Sequence, residues 1–443
     1  MSALGTNFLR TTDGTVYALA DLAEGQGWVK IGGSLQPLAL MSTDISAFDG
    51  GFARLGVACP STLFESNHIG GAADVRQWEF DTTGSASVTH DEEESSVTLT
   101  ATAGDRAVMQ TYQYVPYQPG KLQQILFTGV LDLTDPIPAG AYVRYGNYDE
   151  QGDKTPVSTF DDTGDGHFFQ VDSTGLSVVE RRTVSGTETD DSVAQASWNM
   201  DKLDGTGASG YTIDETKTHV FFIQRQWLGV GSVDMGVFVD DQRIVCHRFS
   251  HDNVLDRTYC KMASLPMRME ANAVSAASSC ECKQICSTVI SLGGTEKQGA
   301  VRVTSRQVTI TGTEHIFTIR LKSDHNRWSV YPVRLTVGAT GFGNGDAAQV
   351  TALLNGTPSG ALTWTSASPA VEVATNNVTF TGGVTLYTRY FTNTDGSADM
   401  IPNNKALPLS SSIDGTQQTL TIILTEIGTL GTGFVTLTWE ELI

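Results

Sequence analysis

Proline is scarce at 13 of 443 residues, charged side chains make up 17% against a typical value of about 25%, and no apolar run approaches the roughly 18 residues of a membrane span. Membrane insertion is therefore not expected. Basic residues are also few: 28 Lys+Arg stand against 49 Asp+Glu, which gives a formal net charge of −21. A surface of that sign repels nucleic acid and anionic lipid, so neither is expected as a partner. The chain shows no convincing apolar stripe at helical spacing. Its first residues, MSALGTNFLRTTDG, have neither the basic start nor the apolar stretch of a signal peptide, and secretion by that route is not expected. Nor is there a G-x-S-x-G elbow, a P-loop or an H-E-x-x-H pair.

What is present points to β structure. A hydrophobic fraction of 40% is enough for packed cores and argues against disorder as the main state, while 45 glycines and a Thr- and Ser-rich polar complement suit short strands joined by turns. At roughly 150 residues per domain the length allows two to four domains. Residues 1–74 read as an arm with short strands (TTDGTVYALA, GWVKIGG) and too little apolar pattern for a core of its own. From 75 to 273, segments such as SSVTLTATA, LQQILFTGVL, AYVRYGNYD, GHFFQVDSTG, LSVVERRTV, THVFFIQRQW and SVDMGVFVDD recur every 8–12 residues or so, the spacing of a jelly-roll sandwich. Residues 274–299 read as a linker that offers one short strand, CSTVISLGG. From 300 to 443, segments from AVRVTSRQVTI to GFVTLTWEEL form a second β-sandwich. The fold expected is all-β: an arm, a jelly roll and a second sandwich.

Candidate chemistry is sparse. Hydrolysis of a glycosidic bond needs two carboxylates on one face, about 5–9 Å apart. The acidic run Asp91–Glu94 sits in a turn, and Asp234, inside a strand, has no second carboxylate beside it. His247 and His251 share strand parity and read as solvent-facing imidazoles near a strand end, with a metal site together with Asp252 as the lesser alternative. Three of the six cysteines, Cys280, Cys282 and Cys286, crowd one segment whose C-x-C-x3-C spacing departs from structural zinc patterns. Free or locally paired thiols are the preferred reading, with zinc the alternative. The sharpest metal candidate is DDTGDGHFFQVD: Asp161, Thr163 and Asp165 fill the first, third and fifth positions of an EF-hand-type calcium loop, with Asp172 at the twelfth. Against it stand the absent flanking helices and an Asp where Glu is usual, so a turn feeding the strand HFFQVD is the simpler reading and no cofactor is otherwise expected.

Several blocks in a fixed order, SAFDGGFARLGVACPSTLFESNH, YQPGKLQQILFTGVL, WNMDKLDGTGASGYTIDETKTHVFFIQRQWLGVGSVDMGVFVDDQRIVCHRFSHDN, ASLPMRMEA and QICSTVISLGG, resemble virion structural proteins recurrent in tailed bacteriophages, with related copies in marine phages and large algal viruses. The resemblance runs from about residue 44 to 295 and continues more weakly through HIFTIRLKS. It departs from the family in the cysteines and in GGFARLGVACP, so redox behaviour is not carried over. It implies a concanavalin-like sandwich and a particle-bound location, with synthesis and assembly in the host cytoplasm. It brings no catalytic residues.

Three functions follow as expectations. The first is a non-enzymatic structural protein of a phage particle: a tail fibre, spike or baseplate component that docks by its arm onto other virion proteins and forms a homo-oligomer, a trimer or higher, through its β domains. A capsid-surface decoration protein is a variant of it. The second is a carbohydrate-binding module for host surface glycan, with Trp198, Tyr211, Trp328 or Tyr387 stacking on sugar rings. A polysaccharide depolymerase ranks last, for want of a carboxylate pair.

Overall fold

In the computed structural model, residues 60–443 are described except 72–73, 75, 154–163, 277, 294–298, 342–345, 393–397, 400–407, 429–430 and 443; within residues 1–59 only strand backbones are described. Two compact units separate at Cys59/Pro60. In the first, three antiparallel pairs are defined: Phe8–Arg10 with Val16–Ala18, Gln26–Ile31 with Ser34–Ala39, and Asp49–Gly50 with Arg54–Leu55. The second unit contains both sandwiches.

The jelly roll stacks an eight-stranded sheet on a seven-stranded one. The first runs Gln242–Phe249, Val233–Val239, His219–Arg225, Leu122–Val130, Ser279–Leu292, Ser96–Thr102, Ser87–Asp91, with Pro60–Asn67 also paired to Ser279–Leu292. The other runs Thr187–Ala194, Gly175–Val184, Gly166–Asp172, Ala141–Tyr148, Met267–Ala273, Arg106–Thr111, Trp78–Thr82. The period-two pattern explains the layering. In Ser96–Thr102, Val97, Leu99 and Ala101 are buried while the threonines between them are half-buried. In Gly166–Asp172, Phe169 and Val171 enter the main core and Phe168 packs with Tyr148 and Val179 on the other face of its sheet. At the centre, Phe127 stacks on Phe221 at 5.5 Å, tilts against Tyr145 at 4.4 Å and meets Phe169 edge-on at 6.1 Å.

Every strand expected between residues 76 and 251 is present. Two boundaries are corrected. The expected linker 274–299 contains Ser279–Leu292, a 14-residue strand in the interior of the eight-stranded sheet, paired with Leu122–Val130, Ser96–Thr102 and Pro60–Asn67. Its alternation was hidden because the buried positions at one end are Cys280 and Cys282, small side chains that pack as hydrophobes. The expected arm 1–74 likewise loses Pro60–Asn67, whose central Phe64 is buried. Thr187–Ala194 also went unrecognised, because its TETDDSVA is almost wholly polar on an edge strand.

The second sandwich pairs a four-stranded sheet, Ala300–Ile310, Gly431–Leu442, Ser329–Thr340, Ala398–Asp399, with a six-stranded one, Trp364–Ser366, Val371–Ala374, Thr313–Leu321, Thr419–Ile427, Ala347–Leu354, Val384–Phe391. Its core is separate and centres on Phe317, Leu335, Leu424, Leu437 and Trp439. The two sandwiches meet through named contacts. Arg327, fully buried, ion-pairs with Asp149. Gln113 Nε2 donates to Tyr331 Oη at 2.8 Å, Ser329 Oγ to the Tyr114 carbonyl at 3.2 Å, and the Ile413 N–H to Glu79 Oε2 at 2.6 Å.

Because Phe127 contacts both sheets' aromatics, Phe127→Ala should lower unfolding free energy by about 3–5 kcal/mol in denaturant titrations monitored by tryptophan fluorescence. A loss below about 1 kcal/mol would show that the aromatic cluster does not hold the jelly roll together.

Candidate functional site

Asp165 and Asp172 stand at the two ends of the extended strand Gly166–Asp172, roughly 20 Å apart at about 3.3 Å per residue. One ion cannot be held by both, which corrects the calcium-loop expectation; Asp161 and Thr163 lie outside the described residues. Both carboxylates have other work. Asp172 closes a hairpin turn, accepting from the Thr174 N–H at 2.7 Å and Thr174 Oγ1 at 2.6 Å. Asp165 is fully buried and accepts from the Thr183 N–H at 3.1 Å and the Met262 N–H at 3.2 Å, while its own N–H donates to Asp149 Oδ1. Burial, reinforced by the neighbouring Asp149 charge, pushes its carboxyl up to about 6. Asp149 in turn accepts from Tyr114 Oη at 3.2 Å and pairs with Arg327. The pair thus belongs to the junction of the sandwiches. Gly166 makes this approach possible: its φ is +138°, and a Cβ there would lie 2.4 Å from the Asn147 carbonyl.

His251 is placed differently from the solvent-facing position expected. It is 4% exposed and stacks on Tyr259 at 3.9 Å. Its Nε2 lies 2.8 Å from Glu180 Oε2 and its Nδ1 2.6 Å from the Gly231 carbonyl. Both ring nitrogens therefore face acceptors, which only an imidazolium satisfies. Burial opposes that charge, but the Glu180 carboxylate and the Gly231 carbonyl outweigh it and hold the pKa above its ordinary value. His167 approaches the same carboxylate at 3.1 Å, yet burial lowers its pKa and its Nδ1 has no partner, so it is the neutral member. Glu180 itself is burdened by burial but is drawn down to about 2 by the two imidazoles. Strand pairing puts His167 opposite Glu180, while His251 arrives from a loop 71 residues away, which no local sequence signal announces. His247 shares strand parity with His251 only on paper, since its strand ends at Phe249.

The remaining buried carboxylates are equally committed. Glu270 sits against Arg268 at 2.8 Å on the outer side of the seven-stranded sheet; burial works against its charge, but Arg268 and the arginines around it hold it down to about 2. Arg268 also binds Asp153 at 2.5 Å, and the adjacent Arg181 binds Asp190 at 2.7 Å. Asp234 is gripped by Arg248 at 2.5 Å and Arg243 at 3.2 Å. Asp132 and Asp201 accept backbone N–H groups of their own loops. In the second sandwich Glu314 accepts from Thr311 and Glu441 from Trp439 and Ser368. An acid or base held in this way is not poised for proton transfer. Among the described residues, no group of three or more His, Cys, Asp or Glu side chains converges on a metal position. The described cysteines are free, and burial pushes the thiols of Cys246, Cys260 and Cys282 up and that of Cys280 to about 12, which makes them poor nucleophiles.

An open site of another kind lies where the sandwiches meet. A cleft of about 280 Å³ is lined by Tyr112 from the jelly roll and, from the second sandwich, by residues 355–358 and 416–419 together with Ser412; none of its lining side chains is charged. Asn355 Oδ1 accepts from the Thr419 N–H at 2.9 Å, which leaves the Nδ2 group for a ligand. Gln417 Nε2 donates to Asn326 Oδ1 at 2.9 Å and the Gly415 carbonyl at 2.7 Å, which leaves its Oε1. The Tyr112 hydroxyl makes no hydrogen bond among the described residues; burial, with Glu79 and Asp414 nearby, pushes it up to about 12, so it stays a donor. Tyr112 and Pro358 supply apolar surface. Sequence reasoning missed this site, since Tyr112 follows a strand with no motif around it. The aromatics singled out instead do not form a common surface: Trp198 is buried with its Nε1 donating to the Val193 carbonyl, and Tyr211, Trp328 and Tyr387 pack against the cores.

No family model and no curated protein matches the chain. Solved structures similar to it include an endo-1,3-beta-glucanase from Streptomyces sioyaensis (10% identity, 53% of this chain and 97% of that one, TM-score 0.37). Others are a carbohydrate esterase from the Shiga toxin-encoding bacteriophage phi24B (14%, 53% and 100%, TM-score 0.32) and a legume lectin-like domain from Entamoeba histolytica (11%, 48% and 90%, TM-score 0.28). Identities and scores at this level carry no inference about activity.

The Glu180–His251 pair makes a prediction about pH. A pKa raised in the folded state contributes stability that is complete below about 6.5 and lost as pH rises through the folded value. Denaturant unfolding should therefore show His251→Gln less stable than wild type at pH 6.5, with the gap between the two proteins narrowing as pH rises above that value. Parallel curves for both proteins would contradict the imidazolium.

Proposed function

We propose that the protein is a carbohydrate-binding β protein that holds a neutral sugar unit in the cleft between its two sandwiches. The observation that carries this reading is the cleft's lining: hydroxyl and amide groups with unused donors and acceptors, an aromatic and a proline side, and no charge. A pyranose offers the complementary surface, with hydroxyls that both donate and accept and a C–H face that packs on an aromatic ring. An anionic ligand would be desolvated there without a counter-charge and with Glu79 and Asp414 nearby. At about 280 Å³ the cleft lies near the small end of ligand sites, so it takes one or two sugar rings and binds weakly per copy. Several copies on one particle would raise the avidity.

Binding without turnover is the form this reading takes, supported by the engagement of every buried carboxylate described above. A second reading, a structural component of a phage particle, rests on the ordered sequence blocks between about 44 and 295. The two are compatible, because a particle-bound fibre, spike or decoration protein can read a host glycan.

A glycan array spanning neutral and acidic saccharides, followed by calorimetry on hits, tests the proposal. Neutral glycans should bind, and Tyr112→Phe and Gln417→Ala should each weaken binding by roughly fivefold, about one neutral hydrogen bond, with thermal unfolding unchanged in Tyr112→Phe and lowered in Gln417→Ala, which also loses the bonds to Asn326 and Gly415. Wild-type protein that binds no saccharide, or variants that bind as well as wild type, would remove the reading. Release of reducing ends from a bound polysaccharide would replace it with an enzymatic one.

A further inference from the structure

Open sheets end in strands whose outer backbone groups are unpaired, and proteins that stay monomeric guard these edges with charge, proline, short length or a covering segment. Most edges in this chain are guarded. The N–H groups of Met200 and Asp201 donate to the Cys246 carbonyl, covering Gln242–Phe249. Thr187–Ala194 carries Glu188, Asp190 and Asp191; Trp78–Thr82 carries Glu79 and Asp81; Pro60–Asn67 opens on proline and carries Glu65. Ser87–Asp91 has five residues and leads into the acidic turn Asp91–Glu94, Trp364–Ser366 has three, and Val384–Phe391 bears the exposed Arg389.

Ala300–Ile310 is the exception. It is 11 residues long, pairs among the described residues on one side only, with Gly431–Leu442, and contains neither proline nor an acidic residue. Its exposed positions are Val301, Arg302, Val303, Ser305, Gln307 and Thr309, with the two valines 66% and 62% exposed and Arg302 on the opposite parity from the rest. Its two arginines are turned to the other face and occupied: Arg306 donates to the His315 and Ile316 carbonyls, and Arg302 lies 3.6 Å from Glu441. Beside it on the neighbouring strand lie Thr436, Thr438 and the exposed Phe434, with Glu440 opposite Val301 at one end, where its Oε1 accepts from the Gly299 N–H at 3.0 Å.

We infer that this edge is where a second copy of the chain docks, by antiparallel pairing of Ala300–Ile310 with itself about a two-fold axis. Charge and symmetry identify the occupant. Copies of a chain with net charge −21 repel one another over most of their surface, and this long edge strand, which has two arginines and no acid, is where two of them can approach. Full antiparallel overlap is self-complementary, as an isologous interface requires, and centres on Ser305. It sets Val301 of each copy opposite Thr309 of the other and Val303 opposite Gln307, and extends the four-stranded sheet across the axis. The jelly roll and the sugar cleft take no part in the seam.

The test is oxidative cross-linking of the full-length chain carrying Ser305→Cys. Residues directly opposed across an antiparallel pair bring their Cα atoms to about 4.5–5.5 Å, within the span of a disulfide. Wild type should have at least twice the chain mass in light scattering. Ser305→Cys should give a covalent dimer under mild oxidation, beyond any formed by the unsubstituted chain oxidised alongside, and Thr309→Cys should not. The double variant Val301→Glu/Val303→Glu should be monomeric with an unchanged circular dichroism spectrum, since both side chains are exposed. A monomeric wild type, a Ser305→Cys protein that fails to cross-link, or a double variant that keeps the wild-type mass would each overturn the inference.

Discussion

Arg327 brings a positive charge to a place with no exposure to solvent, and such a charge is tolerable only beside a fixed counter-charge. Asp149 supplies it from the other sandwich, and much of the architecture follows from that pairing. Asp149 lies at the end of the strand Ala141–Tyr148, so holding the arginine ties the second sandwich to the jelly roll's seven-stranded sheet. Asp165 is drawn into the same site through its backbone and is itself held by N–H groups of Thr183 and Met262, one from a sheet strand and one from a loop. The polar contacts at Gln113–Tyr331 and Ser329–Tyr114 surround this pair, and the cleft opens beyond them, at Tyr112. Removing either partner would leave a buried charge uncompensated, a loss larger than the pair itself is worth.

The same economy governs the chain's excess of acid. A net charge of −21 would be costly if its carboxylates crowded the interior. Those that are buried are matched instead by arginine, imidazolium or backbone N–H, as at Glu270, Glu180 and Asp132. Dedicated partners of this kind give rigidity. The cleft at Tyr112 is lined instead by hydroxyl and amide groups.

The strands were largely legible because their alternation is a local property: GHFFQVD and SVTLTAT declare their faces without reference to anything else. Where the pattern failed, the reason is physical. The strand read at CSTVISLGG begins earlier, at Ser279, because CECKQI buries cysteines where valine or leucine would have been recognised, and TETDDSVA is an edge strand with little apolar face to show. The site was less legible. Spacing alone made Asp165 and Asp172 resemble ligands of one ion, but the strand between them holds them apart. His251 looked solvent-facing until the fold set it against Glu180.

Composition and periodicity, then, determined that this chain would be all-β, acidic and built around two sandwich cores, because strand propensity, burial and charge are properties of neighbouring residues. Which polar groups meet was decided by tertiary structure. Glu180 with His251, Asp149 with Arg327, and Tyr112 with Asn355 and Gln417 come together across separations of up to hundreds of residues, and the energies that hold or expose them exist only once water has been excluded or a cleft has formed between two folded bodies.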